Sequence, residues 1–285
     1  MEFLQVDVFS DGPYTGNPLA VFPDAGGLSG SQMQRIASEM NLSETAFVTS
    51  VEPHRYRVRI FTPRKELAFA GHPTIGTTWV LRNGGRLTEE DVTQVSDAGE
   101  TSVTLEGDTL WFERIGSVGA DIEEHDPLHR EIARGLGVDQ RDLGMEAREL
   151  GRSGTLYPAV SNAGLEQLMV PVRDLAALAR CSAAPGLLES AGIEGFYCFT
   201  ATAAGRIQAR GLFPAVGIAE DPATGSAAAA LGLYLADRLG AIEVDVDQGV
   251  EMGRPSKIHV RGAPGRVKVG GRCSLVVSGR LEVLP

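Results

Sequence analysis

His72-Pro-Thr-Ile-Gly-Thr77 and Asp221-Pro-Ala-Thr-Gly-Ser226 decide how this chain is read. Each carries proline, glycine and a closing hydroxyl at the same spacing, and each opens or precedes an apolar run of helical period. They lie about half a chain apart. A repeated turn into a helix at that separation predicts a duplication, in which two similar domains are each built around one main helix.

Outward from these segments, the spacing predicts a buried helix over His72–Leu81 and an alanine-rich one over Ser226–Arg238. Before the first, Leu4–Ser10, Asn17–Phe22, Thr45–Thr49 and Tyr56–Thr62 read as strands. Ser31–Met40 keeps helical spacing at Met33, Ile36, Ala37 and Met40, with Ser29 or Ser31 as cap. Ser102–Arg114 reads as a hairpin turning at Glu106-Gly107-Asp108. After the stretch Gly116–His129 comes a second series. Leu165–Val172, Gly195–Thr200 and Arg206–Phe213 are strands, Arg173–Arg180 is a short helix, and Lys257–Val260, Arg266–Val269 and Ser274–Leu284 form a strand-rich tail. The expected class is α+β, with domains over residues 1–120 and 121–285 and the last strand able to pack back on the first domain.

Composition removes several function classes. A formal net charge of -11, with Lys and Arg dispersed along the chain, argues against a nucleic-acid partner. The longest apolar stretch, Ala227–Leu235, is well short of a bilayer span, so no membrane partner is expected. The first residues carry neither a basic lead nor a cleavable apolar core, so no leader is expected. Cys181, Cys198 and Cys273 are odd in number and form no C-x-x-C pair, which fits a reducing, cytoplasmic setting and no structural metal site. The phosphate-binding, dinucleotide and nucleophile-elbow motifs are absent, so no cofactor is expected.

Chemistry concentrates at the two turns. The first N–H groups of a helix have no partner within it, and the helix dipole adds positive charge there. Such a turn binds a carboxylate or phosphate without Lys or Arg, and two of them opposed would clamp a small anion. The plainer reading is ordinary N-capping by Thr74, Thr77, Thr224 or Ser226; the match between halves favours the clamp. His72 can pass or hold a proton near neutral pH. Asp221, matched to His72 in the other half, can orient a substrate amine or hydroxyl, although Asp before Pro is also a common turn residue. Glu44, in Asn41-Leu-Ser-Glu-Thr-Ala-Phe47, is a candidate acid/base if Leu42 and Phe47 desolvate it; otherwise it is a solvated loop glutamate. His125 and His129 lie one helical turn apart beside acids, but a surface helix explains them better than a metal site. Glu243, Asp245 and Asp247 alternate as one solvated strand face.

Taken together, these segments resemble the phenazine-biosynthesis isomerase family, the PhzF-like proteins. The resemblance is carried by Asp7-Val-Phe-Ser10, Gly16-Asn-Pro-Leu-Ala-Val21, Asn41-Leu-Ser-Glu-Thr-Ala-Phe-Val48, Phe69-Ala-Gly-His-Pro-Thr-Ile-Gly76, Glu220-Asp-Pro-Ala-Thr-Gly-Ser226 and Gln248-Gly-Val-Glu-Met-Gly-Arg-Pro-Ser256. It implies a diaminopimelate-epimerase-like fold, in which each domain is a mostly antiparallel sheet wrapped around a central helix and the site lies in the interdomain cleft. It further implies a homodimer, no cofactor and a small carboxylate substrate; the family's best-known reaction isomerises a dihydro-hydroxyanthranilate by moving a proton between ring carbons. By the same resemblance Glu44 is the proton-transferring group, His72 and Asp221 position the substrate and assist, and Gly71, Gly225 and Ser226 recognise its carboxylate. Related epimerases use one cysteine from each half; Ala70 and Ala223 stand near those places here, which argues against two-thiol chemistry. Two other classes remain in view: a small-anion binding or regulatory protein without turnover, and a hydrolase using Ser226, His72 and Asp221.

Overall fold

The computed structural model describes residues 1–183 and 195–285, and the chain divides into two compact units. The first comprises Met1–Glu113 with Gly270–Pro285, and the second Arg114–Val269.

In the first unit, β1 (Glu2–Val8) pairs antiparallel with β2 (Asn17–Phe22). Helix α1 (Gly30–Met40) then carries the chain to β3 (Glu44–Glu52), which lies parallel to β2. Ser29 starts α1 with a capping box: its hydroxyl accepts from the Gln32 N–H, and the Gln32 side chain accepts from the Ser29 N–H. Asn41, left-handed at φ 51°, ends it. β4 (Arg55–Phe61) returns antiparallel to β3, with the short β5 (Glu66–Leu67) beside it. Helix α2 (Gly71–Asn83) leads to β6 (Asp91–Ser96), parallel to β4, and the β7 (Gly99–Glu106) and β8 (Thr109–Ile115) hairpin follows.

The second unit repeats this order. A short β9 (Ser117–Val118), helix α3 (Pro127–Leu136) and the two-residue strands β10 (Met145–Glu146) and β11 (Thr155–Leu156) come first. Then β12 (Ala159–Asn162) pairs antiparallel with β13 (Glu166–Pro171), and α4 (Leu175–Arg180) precedes β14 (Phe196–Ala203), parallel to β13. β15 (Arg206–Phe213) runs antiparallel to β14, and β16 (Ile218–Asp221) beside it. Helix α5 (Gly225–Leu239) leads to β17 (Ile242–Gln248), parallel to β15 and antiparallel to β18 (Ser256–Ala263); β19 (Arg266–Gly271) follows. The last strand, β20 (Cys273–Arg280), pairs with β1. Antiparallel and parallel pairings therefore alternate in the same order in both units, and a helix lies in each of these parallel crossovers, α1 and α2 in the first unit and α4 and α5 in the second. The duplicated α+β architecture expected from the sequence is the observed one, with mostly antiparallel pairings and two parallel crossovers in each unit.

Strand β2 and the first half of β3 are buried on both faces. Ala20, Phe22 and Phe47 pack with Met33, Ile36 and Ala37 of α1. The opposite face meets α2, where a methyl group added at Gly76 would come within 2.6 Å of Leu19 and 2.7 Å of Val8. Gly232 gives α5 the same close approach, 2.5 Å from Val267 and 2.6 Å from Val260. Glycine at these points lets each main helix sit tightly on its strands.

The structure corrects one detail of the sequence reading. Helix α2 begins at Gly71 and α5 at Gly225, so the matched positions by helix start are Gly71 with Gly225 and His72 with Ser226. His72 lies within the first turn of its helix, whereas Asp221 ends β16 before its own helix begins. The strand order, and not the proline–glycine match itself, carries the duplication. No described helix is long and apolar enough to cross a membrane.

Candidate functional site

Glu44 is the first residue of β3 and pairs in register with Leu19. Directly paired residues of parallel strands share a face, so Glu44 stands with Leu19 on the side covered by α2. Phe47, three residues on, points to the α1 side and cannot desolvate it. The neighbour that matters is His72: its Nε2 lies 3.5 Å from Glu44 Oε2, with 4% of the His72 side chain and 12% of the Glu44 side chain exposed. At that separation the two groups touch without a hydrogen bond, and among the described residues the Nε2 atom has no other hydrogen-bond partner.

The other side of the His72 ring faces Asn17, which is fully buried on the first residue of β2. Ser43 Oγ donates to Asn17 Oδ1 at 3.2 Å, which turns the Asn17 amide nitrogen toward His72 Nδ1 at 3.4 Å. An amide nitrogen only donates, so Nδ1 accepts and the ring proton sits on Nε2, toward Glu44. Burial depresses the His72 pKa to about 3, so the imidazole is neutral through the physiological range. Asn17 and Ser43 were not singled out as site residues from the sequence, although both lie in the segments that carry the family resemblance.

In the second unit Asp221 is buried at the end of β16. Thr224 Oγ1 donates to its Oδ2 at 2.6 Å. Gln248, buried at the end of β17, bonds Thr224 N, Thr224 Oγ1, the Asp221 carbonyl and the Tyr197 hydroxyl. Below them, Ser256 Oγ donates to the Pro222 carbonyl at 2.9 Å. Gly249 is left-handed at φ +73°, and a methyl group there would lie 2.7 Å from Pro222 O. The segment Gln248–Ser256 is thus a floor that holds Asp221 and Pro222.

The capping explanation for the two helix starts does not hold. The N-cap residues are Ala70 and Thr224, and neither makes a side-chain cap hydrogen bond. Thr74 bonds back to the Ala70 carbonyl, and Thr224 spends its hydroxyl on Asp221. Gly71 and Gly225 are buried first residues of their helices, and Ser226 is half-buried in the first turn of α5. The structure therefore brings Glu44 and His72 together in the first unit, and in the second it holds Asp221 against Thr224, the residue before Gly225 and Ser226.

Other expectations resolve differently. His125 is exposed in a turn before α3, but His129, expected on a surface helix, is fully buried within α3. His129 lines a cavity of about 720 Å³ with Arg130, Arg134 and Arg141, and none of the expected site residues reaches it. No cluster of three or more metal-ligating side chains occurs among the described residues. Glu243, Asp245 and Asp247 pair with Arg261, His259 and Arg206 across the strands of one face. Cys181 and Cys198 are buried and Cys273 half-buried; none stands at the start of α2 or α5.

Comparison with known proteins agrees with this architecture. The phenazine biosynthesis-like protein family model (PhzC-PhzF) matches residues 6–279. The trans-2,3-dihydro-3-hydroxyanthranilate isomerase of Pseudomonas chlororaphis is 37% identical over 273 residues, covering 93% of this chain and 91% of that protein. A phenazine biosynthesis protein of the PhzF family from Enterococcus faecalis superposes with a TM-score of 0.80 at 26% identity, covering 99% of each chain. A PhzF-family protein of Bacillus anthracis, 24% identical, shares the fold with a TM-score of 0.81 and 99% coverage of each chain.

Proposed function

The chain belongs to the phenazine biosynthesis-like family, and on that premise we propose that it is a cofactor-independent isomerase that moves a proton within a small carboxylate-bearing substrate. The observation that carries the reading is the buried contact of Glu44 with a neutral His72. Glu44, as carboxylate, takes a proton from one carbon of the substrate. The resulting carboxylic acid returns that proton to another carbon, and the electron pair released at the first carbon shifts through the intervening double bond. Atoms and charge balance without a co-reactant. One positioned carboxylate of this kind contributes ~10²–10⁴-fold.

Neutral His72 supports the step as a donor through Nε2, without an imidazolium that would hold Glu44 permanently in an ion pair. The uncapped helix start at Gly225, with the Ser226 hydroxyl beside it, suits a substrate carboxylate, and the start at Gly71 has the same character. Asp221 orients an amine or hydroxyl of the substrate. The chain's own asymmetry supports a single acid/base group: Glu44 pairs with Leu19 at the start of β3, whereas Phe196 pairs with Leu168 at the start of β14. A hydrolase triad fits poorly, because both ring nitrogens of His72 face residues of the first unit, Asn17 and Glu44.

The test is incubation with trans-2,3-dihydro-3-hydroxyanthranilate and a panel of cyclic amino-carboxylates in heavy water, followed by NMR. Isomerised product or carbon-bound deuterium supports the reading. Saturable carboxylate binding without exchange on any compound would favour a binding protein instead.

A further inference from the structure

We infer that Thr224 and Gln248 are positioning residues that deliver the Thr224 hydroxyl proton to Asp221 Oδ2 and so fix Asp221 as a hydrogen-bond acceptor toward substrate. The inference rests on the proposed role of Asp221, but its geometric half stands on hydrogen bonds alone.

The direction of every proton in the network follows from two backbone groups. The Thr224 N–H can only donate, and it lies 3.1 Å from Gln248 Oε1. The Asp221 carbonyl can only accept, and it lies 2.8 Å from Gln248 Nε2. These two contacts fix which end of the Gln248 amide is oxygen. The Tyr197 hydroxyl donates to the same Oε1 at 2.8 Å, and burial raises the Tyr197 pKa far above its usual value, so it keeps its proton. The second hydrogen on Nε2 goes to Thr224 Oγ1 at 3.0 Å. That oxygen is therefore an acceptor from Gln248, and its single proton is left for Asp221 Oδ2 at 2.6 Å. The distance is that of a hydroxyl donating to a charged oxygen.

All four hydrogen-bonding positions of a fully buried Gln248 are thus used to set one hydroxyl. Gly211 protects the arrangement, since a methyl group there would come within 2.9 Å of both Gln248 Nε2 and Thr224 Oγ1. Ordinary helix capping would aim Thr224 Oγ1 at the α5 N–H groups instead, and it makes no such bond. The consequence is chemical: an Asp221 whose Oδ2 accepts from Thr224 carries no proton on that oxygen, which is held as an acceptor.

Two measurements test this separately. A neutron structure of the full chain in heavy water should place a deuteron on Thr224 Oγ1 aimed at Asp221 Oδ2, with two deuterons on Gln248 Nε2. A deuteron on Asp221 Oδ2 would overturn the inference, whatever the protein catalyses. The second is a double-mutant cycle on the isomerisation. Thr224→Val should lower kcat/KM on the order of 10–100-fold, and Thr224→Ser should restore most of it. In an Asp221→Asn background the same Thr224→Val change should cost almost nothing more. Independent, additive losses would refute positioning through Asp221. If the wild-type chain isomerises nothing, the proposed function fails while the neutron result still decides the network.

Discussion

His72 Nε2 lies 3.5 Å from Glu44 Oε2, and the opposite ring nitrogen is held by Asn17. The pair joins the first turn of α2 to the first residue of β3, two elements made adjacent by the β2–α1–β3 crossover. The α1 C-cap at Asn41 and the two residues after it deliver the chain into β3 so that Glu44 faces α2.

The tautomer of His72 should follow Asn17. In the native chain, imidazole 15N shifts should show the proton on Nε2. Asn17→Asp puts an acceptor opposite Nδ1 and should move the proton to that nitrogen. Identical spectra for the two proteins would contradict the assignment.

Stability should respond to pH through His72. Its folded pKa is depressed to about 3 against an unfolded value of about 6.5. Between those limits the unfolded chain binds the extra proton, so stability is complete above about pH 6.5 and falls as the pH drops toward 3. The loss from this group is about 3 kcal/mol by pH 4. Urea unfolding of wild type and His72→Gln across that range should show a shallower acid slope in the variant. Parallel slopes would mean that His72 is not buried as a neutral ring.

Gly249→Ala should destabilise by at least ~2 kcal/mol, since it adds a left-handed alanine and a clash with Pro222 and Arg254 carbonyls. Turnover should fall with it, because the floor beneath Asp221 shifts. A melting temperature equal to wild type would show that the turn relaxes freely.

Ser226→Ala should leave stability within about 0.5 kcal/mol, because Ser226 caps nothing. Carboxylate affinity, read by calorimetry, should still weaken several-fold. A large stability loss with unchanged affinity would assign Ser226 to the helix and not to the ligand.

Much of the fold was legible because burial wrote it in the sequence. The periodicity over His72–Leu81 marks α2, and the alternation of Tyr56, Val58 and Ile60 marks β4, where all three are buried. Strand β6 carries no such mark, as Asp-Val-Thr-Gln-Val-Ser looks polar; Gln94 is nevertheless buried, bonded to Tyr56 and Thr74. Pro73 lies within the first turn of α2, where its missing N–H costs nothing, so it does not interrupt the helix that the periodicity marks. Desolvation of Glu44 by Phe47 does not follow from their nearness in sequence: Phe47 is on the other face of the strand, and the residue that meets Glu44 is His72, distant in sequence. Asn17 and Gln248 act through partners remote in the chain, so no local pattern announces their roles.

The central claim is that Glu44 moves the proton, and solvent deuterium incorporation tests it most directly. With a turned-over carboxylate substrate in heavy water, wild type and Glu44→Gln would be compared at equal ligand occupancy. The account predicts isomerised product in wild type, with deuterium at the receiving carbon wherever protonated Glu44 exchanges with solvent before the return, and a loss of both by ~10²–10⁴-fold in Glu44→Gln, with binding and fold retained. Exchange at the wild-type rate in the variant would remove Glu44 from the mechanism.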